Sequence, residues 1–233
     1  MSKYAIITFF LFISFGLSAQ DCDLYIPLEE GKGYQYQSYN QRDRLEGVNE
    51  IVIKQVNQIP DGTKAIMEAS YFDSSEKLLY EGEYEIVCKG NELIIDMQAM
   101  MEQMQLDTLE DMEVTFTTID NLVLPDNIKV GDQLPEGKME MKISMGGKTM
   151  SEMTFTTKNR KVAAKETIKT PAGSYDCFKI TYENEMDTNT MGFSRKTVTK
   201  GVEYFSPGVG NVRSEYYDEK DRLQGYTVLS EIY

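Results

Sequence analysis

The strongest constraint on the fold is a series of segments in which apolar and polar residues alternate. In "KLLYEGEYEIVC", Tyr80, Gly82, Tyr84, Ile86 and Cys88 fall on one face, and Glu81, Glu83 and Glu85 on the other. A period of two with one apolar face marks a half-buried antiparallel strand. "KMEMKISM" repeats the pattern, with Met139, Met141, Ile143 and Met145 opposite Glu140, Lys142 and Ser144. "SYDCFKITYE" places Phe178, Ile180 and Tyr182 together, and "MEVTFTT", "RKTVTKGVEYF", "GNVRSEYY" and "YTVLSEIY" read similarly. Gly146-Gly147 predicts a tight hairpin turn into "KTMSEMTFTT". One segment departs from the pattern. "DMQAMMEQMQ" sets Met97, Met100, Met101 and Met104 at helical spacing behind Asp96, a fair N-cap, and predicts one short helix near residues 96–106. The chain is expected to be all-β and antiparallel, with that single helix.

A second pattern is a sentence written three times. "YNQRDRLEG", "YFDSSEKLLYEG" and "YYDEKDRLQG" each place an aromatic before Asn40, Asp73 or Asp218, then a charged run, Leu and a nearby Gly. Asn and Asp bond their own backbone in turns, and charged residues suit an exposed tip. The spacing of the copies is irregular, whereas a repeat array needs a fixed period. The copies are therefore expected to be hairpins of one meander. "LPDNIKVGDQLPEG" is a connector punctuated by Pro and Gly. It divides the chain without a flexible linker, so residues 20–233 are expected to form a single β-rich domain.

Residues 1–19 read as a secretory signal peptide. Lys3 precedes an apolar run from Ala5 to Leu17, and Ser18-Ala19 offers a cleavage site near Ala19. The run is short for a bilayer-spanning helix, and Gln20-Asp21 before Cys22 disfavours a lipoprotein signal. The expected location is periplasmic or secreted, with no integral membrane segment after processing. The chain of 233 residues carries a net charge of −14. Such a surface repels nucleic acid, so no nucleic-acid partner is expected. In an oxidising compartment, Cys22, Cys88 and Cys177 predict one disulfide and one spare thiol. Cys22 with Cys88 is the favoured pair, because it would pin the N-terminal segment to the sheet. Cys88 with Cys177, or three free thiols, are the alternatives.

"TPAGSYDCFKITYE", "EYFSPGVGNVRSEYYD" and the upstream "KVGDQLPEG" together resemble the TapB-like family of exported, β-rich bacterial proteins of unknown function. The resemblance spans most of the chain beyond residue 19. It implies a strongly curved antiparallel sheet or a partial or open barrel, and a cell-envelope location. It brings no catalytic residue with it. Physically, Gly173 after Pro171-Ala172, and Gly208 and Gly210 after Pro207, are turn chemistry.

The chain contains no histidine. That removes the Ser-His-Asp and Cys-His arrangements and the commonest zinc ligand. No nucleophile-elbow or phosphate-loop motif occurs. Paired carboxylates leave a hydrolase as a minor alternative. "DCD" and "DEKD" lack the spacing of a calcium loop. The 14 methionines are the compositional oddity. Met-x-x-Met spacing around Met97 could hold Cu(I), but it equally makes a buried helix stripe. Met139, Met141, Ile143, Met145 and Met153 are the candidate lining of an apolar groove, because Met adapts to irregular ligand shapes. The expected function is a non-enzymatic binding or accessory module of the cell envelope with no cofactor and no metal. Its partner would be a lipophilic small molecule or an envelope protein. The alternative is a structural or adhesion-type module that uses strand edges or its acidic face.

Overall fold

The computed structural model describes residues 25–90, 92–97 and 112–233. Among them, one antiparallel sheet is built from thirteen strands. The first five are β1 (Gly33–Asn40), β2 (Leu45–Ile59), β3 (Gly62–Asp73), β4 (Leu78–Lys89) and β5 (Glu92–Ile95). β6 (Met112–Asp120), β7 (Leu122–Pro125), β8 (Gly137–Met145) and β9 (Lys148–Thr170) follow. β10 (Gly173–Thr190), β11 (Phe193–Ser206), β12 (Gly210–Asp218) and β13 (Leu223–Ile232) complete the sheet.

The strand order is β6-β8-β9-β10-β11-β12-β13-β1-β2-β3-β4-β5-β7. Its two ends, β6 and β7, are consecutive in sequence and separated only by Asn121. One bent stretch of chain thus pairs with β8 through its first part and with β5 through its second. The Asn121 Oδ1 accepts the Met97 amide at 3.1 Å, which fixes the bend. The sheet's ends meet along continuous backbone, and the result is a nearly closed barrel. Closure of this kind leaves little unpaired edge for another chain to extend.

The alternation read from the sequence sets the barrel's inside. On β3, Thr63, Ala65, Met67 and Ala69 are buried while their neighbours are half-exposed. On β4, Ile86 and Cys88 are buried, and Glu81 and Glu83 are exposed. The main core gathers Tyr34, Tyr36, Ile53, Ala65, Met67, Val162, Phe178, Ile180 and Leu229 from both halves of the chain. Gly146 and Gly147 form a two-residue hairpin with φ of 57° and 76°, the left-handed angles such a turn requires.

The thrice-written sentence is one turn made three times. Asn40, Asp73 and Asp218 open the β1–β2, β3–β4 and β12–β13 hairpins. Asn40 Oδ1 accepts the Arg42 and Arg44 amides at 2.9 and 3.2 Å. Asp73 Oδ1 takes those of Ser75 and Lys77 at 2.8 and 3.1 Å. Asp218 Oδ1 takes those of Lys220 and Arg222, both at 2.9 Å. The third residue after each adopts a left-handed φ: Asp43 56°, Glu76 65° and Asp221 59°. A register shift accompanies each turn, at Ser38/Tyr39, Tyr71/Phe72 and Tyr216/Tyr217. One side-chain oxygen satisfies two tip amides, and the extra bulge residue increases the local twist.

A subtler repetition lies elsewhere. The Gly31 amide bonds the Ile53 carbonyl, and the Ile53 amide bonds Lys32 O, at 2.8 and 2.9 Å. Gly131, Val162 and Asp132 make the same two bonds at 2.8 and 2.9 Å. Ile53 and Val162 are both 0 % exposed. A Pro-x-Gly turn follows each, at Pro60 to Gly62 and Pro171 to Gly173. The two halves of the barrel use one device to seat a connector against the middle of a long strand.

Two expectations meet the described residues only in part. Every named element among the described residues is a strand. Of the short helix expected near 96–106, only Asp96 and Met97 are described, Met97 being helical and buried, and residues 98–106 lie outside the described residues. Of the expected disulfide and spare thiol, Cys88 is disulfide-bonded and Cys177 is a free, buried thiol. The alternative Cys88–Cys177 pairing is thereby removed, and Cys22 lies outside the described residues. Cys177 faces the opposite side of β10 from Phe178 and packs with Tyr204 and Val212. Burial pushes its thiol up to about 11, which makes it a small apolar core residue.

Candidate functional site

The barrel encloses a cavity of about 360 Å³. That volume falls within the range of small-molecule pockets, about 300–1,000 Å³. Inward residues of β1, β2, β3, β4, β5 and β7 supply a mostly apolar wall: Ile51, Met67, Ala69, Ile86, Leu93, Ile95 and Leu124. β9 to β13 supply Arg160, Ile180, Glu203, Phe205, Asn211, Ser214, Tyr216 and Thr227. The wall is therefore two-sided, hydrocarbon on one part and hydrogen-bonding on the other. Tyr216 lines the cavity and is also 44 % exposed, so the space opens to solvent beside β12.

The polar side is organised by Arg160, which is 6 % exposed. Its Nη1 donates to the carbonyls of Val123 at 2.8 Å and Pro135 at 2.5 Å. The guanidinium thus reaches from β9 to β7 and the following connector, across the place where the barrel closes. Burial lowers its pKa, while the nearby Glu203 and Tyr182 act to raise it. Glu203 on β11 is pushed above the usual carboxylate range by burial, against the charge of Arg160 and the hydroxyl of Tyr182. Tyr182 is raised well above its ordinary value by burial and then by Glu203. Tyr36 donates to the Asn211 carbonyl at 3.0 Å. The Asn211 amide donates to Ser214 Oγ at 2.7 Å. Two buried polar atoms of residues around the cavity, the Tyr34 hydroxyl on β1 and Asn211 Oδ1 on β12, have no hydrogen-bond partner. Tyr34 is 1 % exposed, and burial pushes its phenol up to about 12.

Glu203 carries a pH prediction. Its folded-state pKa is raised, so the native chain holds this proton more tightly than the unfolded chain. The group's contribution is most favourable below the ordinary Glu pKa and falls as pH rises through the folded value. Glu203→Gln removes that decline. Urea unfolding at several pH values from about 4 to about 8 is expected to show the variant gaining on the wild type as pH rises. A difference that is flat, or that shrinks with pH, contradicts the assignment.

The residues expected to line a groove sit elsewhere. Met139 and Met141 are 1 % and 3 % exposed and pack with Met97, Val114, Phe116, Leu122, Met153 and Phe155. This is a filled satellite core between β6, β8 and β9. Ile143 is half-buried, and Met145 is exposed at the β8–β9 tip. None of the five lines the cavity, whose wall carries Met67 instead. Met97 is committed to the same cluster, and Met100, Met101 and Met104 lie outside the described residues. Asp218 and Asp221 of "DEKD" are spent on the turn, on Arg222 and on Lys200. Among the described residues, no three of Asp, Glu, Cys and His converge as metal ligands. No helix among them is long and apolar enough to cross a membrane. The sequence did carry a signal for the site: Arg160 and Glu203 are charged residues in phase with the apolar faces holding Val162 and Phe205.

A second surface feature stands at the tips of neighbouring hairpins. Phe193 and Met191 on β10–β11 are 83 % and 69 % exposed, and Met145 and its cross-strand partner Met112 are 47 % and 39 % exposed.

The all-antiparallel, nearly closed sheet places the molecule among β-barrel proteins. The chain belongs to the DUF3108-like family, whose model matches residues 29–229. That is the family matched, rather than the TapB-like one that the turn motifs resemble. A search of curated proteins finds no match. Two solved structures share the fold. One is a Bacteroides fragilis protein provisionally described as exported, with a YmcC-like fold: 24 % identical, covering 91 % of this chain and 100 % of that one, TM-score 0.68. The other is a Parabacteroides distasonis protein provisionally described as a lipoprotein, with the same identity and coverage and a TM-score of 0.71.

Proposed function

We propose that this chain is an exported, non-enzymatic binding protein that holds the apolar part of an amphiphile inside its barrel. The observation that carries this reading is the cavity of about 360 Å³ with hydrocarbon on one side and an opening beside Tyr216. The signal-like N-terminus supports an extracytoplasmic location, as do the descriptions of the two relatives as exported and as a lipoprotein. The absence of histidine, together with the use of Arg160 for backbone carbonyls, favours binding over catalysis.

Ala69 tests the reading. It is 5 % exposed on β3 and lines the cavity. Ala69→Phe places a ring in the space. An apolar fluorescent probe is expected to bind the variant roughly thirtyfold more weakly, the equivalent of about 2 kcal/mol of lost apolar contact. Ala69→Leu is expected to lose less. Undiminished probe binding by a folded Ala69→Phe chain would falsify the interior site. Native mass spectrometry of detergent-free protein from the periplasm adds a direct readout: a bound mass that extracts into organic solvent.

The exposed tip residues favour a second reading, a protein-interaction module. Its signature is a stable oligomer that Phe193→Ser with Met191→Ser dissolves, with probe binding unchanged.

A further inference from the structure

One end of the barrel carries a prong. Direction reverses at every antiparallel step, so the β8–β9 and β10–β11 turns lie at the same end as the Asn40, Asp73 and Asp218 turns. β12 ends at Asp218, opposite Thr199, while β11 begins at Phe193. At about 3.3 Å per residue, the β10–β11 hairpin therefore runs about 20 Å past the end of β12 along the strand. The β8–β9 hairpin keeps pace with it. Ser151 pairs with Thr190, their hydroxyls lie 2.9 Å apart, and the Met191 amide donates to the Met150 carbonyl at 3.2 Å. The two tips are thus held side by side.

Their surface differs from the rest of the chain. Phe193 and Met191 are the two most exposed large apolar side chains among the described residues, and exposed Met145 stands on the adjoining turn. No Asp or Glu occurs in residues 143–151 or 188–195, although the chain holds 38 of them. The charges in these stretches are Lys148 and Arg195, both exposed. Of the acids beside them, Glu113 faces Ser144 from β6, and Glu152 is tied to Lys142 at 3.0 Å.

Protruding apolar side chains flanked by cations suit a phospholipid interface, where the apolar groups enter the acyl boundary and the cations meet phosphates. The net charge of −14 opposes an anionic surface, but at physiological salt that field is screened within about 8 Å, less than the length of the prong. A stable protein interface takes about 800 Å² from each partner, packed face to face. Two narrow turns offer points rather than a face, and a lipid interface accepts points.

We propose that the paired tips dock this protein on an anionic phospholipid surface. Phe193, Met191 and Met145 insert, and Lys148 and Arg195 rest on lipid phosphates. The docking is independent of what the cavity holds.

The test is flotation of the full mature chain with vesicles at about 0.15 M salt. One set contains phosphatidylethanolamine and phosphatidylglycerol, the other phosphatidylcholine alone. The chain is expected to float with the anionic set and more weakly with the other. Phe193→Ser with Met191→Ser is expected to weaken binding about thirtyfold, the worth of two apolar side chains about half withdrawn from water. Lys148→Gln with Arg195→Gln is expected to cost about fivefold per charge on the anionic vesicles and nothing on phosphatidylcholine. All four positions are exposed, so unchanged thermal unfolding is expected and checks that the variants fold. The proposal is overturned if the wild type does not float with the anionic vesicles, or if both variants float as well as it does. A stable oligomer that Phe193→Ser with Met191→Ser dissolves, without vesicle binding, assigns the tips to a protein partner and overturns it equally. Binding of the apolar fluorescent probe by the same variants is expected to be unchanged, so failure of the anchor and failure of the interior site are told apart.

Discussion

Arg160→Met is expected to lower the unfolding free energy by about 3–5 kcal/mol, because two hydrogen bonds from a charged donor, each worth about 1.5–3 kcal/mol, are lost. The variant keeps most of the side chain's hydrocarbon length and loses the guanidinium. Three things follow at once. The Val123 and Pro135 carbonyls lose their donor. β7 loses its tie to β9 across the closure of the barrel. Glu203 loses the cation that opposes the cost of burying its carboxylate. Denaturant midpoints with unchanged slope measure the effect. Adding Glu203→Gln to Arg160→Met is expected to recover part of the loss, because the uncompensated carboxylate is gone, while the unpaired carbonyls remain. Strict additivity of the two single variants would show that the residues do not interact. A single-variant loss under about 1 kcal/mol would mean that the closure does not depend on this side chain.

Ile53→Ala is expected to cost about 2–5 kcal/mol, as buried Ile-to-Ala changes do. In a domain of this size each kcal/mol lowers Tm by about 2–4 °C. Ile53 is 0 % exposed at the centre of β2. Its backbone amide and carbonyl hold the 29–32 connector, and they survive the substitution. The loss therefore reports side-chain packing alone. Val162→Ala, the equivalent change in the other half, removes fewer atoms and is expected to cost less. If Val162→Ala proved the more damaging, the two halves would not share the load as their matching hydrogen bonds imply. Thermal unfolding of both variants decides it.

Much of the architecture was legible in the chain itself. Period-two alternation identified the faces of β4, β8 and β10, because a strand's side chains must alternate across the sheet whatever lies opposite. Asn40, Asp73 and Asp218 announced three hairpins, because an Asx side chain caps its own turn with local bonds only. Gly146-Gly147 announced a fourth for the same local reason.

The site was decided by contacts that the sequence does not order. Arg160 and Glu203 are separated by more than forty positions, and Tyr34 and Asn211 stand near opposite ends of the chain; the strand order, which sets β9 one strand from β11 and β12 one strand from β1, brings each pair to the cavity. Alternation says that Met139 and Met141 face inward, yet not whether inward means a filled space or an open one. Around Met139 and Met141, Phe116, Leu122 and Phe155 fill the gap. Around Met67, the sheet's curvature holds the opposing walls apart and a cavity remains. Strand periodicity is a local steric property, so the sequence alone fixes it. Cavity volume depends on the distance between strands far apart in the order, and that distance is set by where the chain at Asn121, between β6 and β7, changes from pairing with β8 to pairing with β5 and closes the sheet.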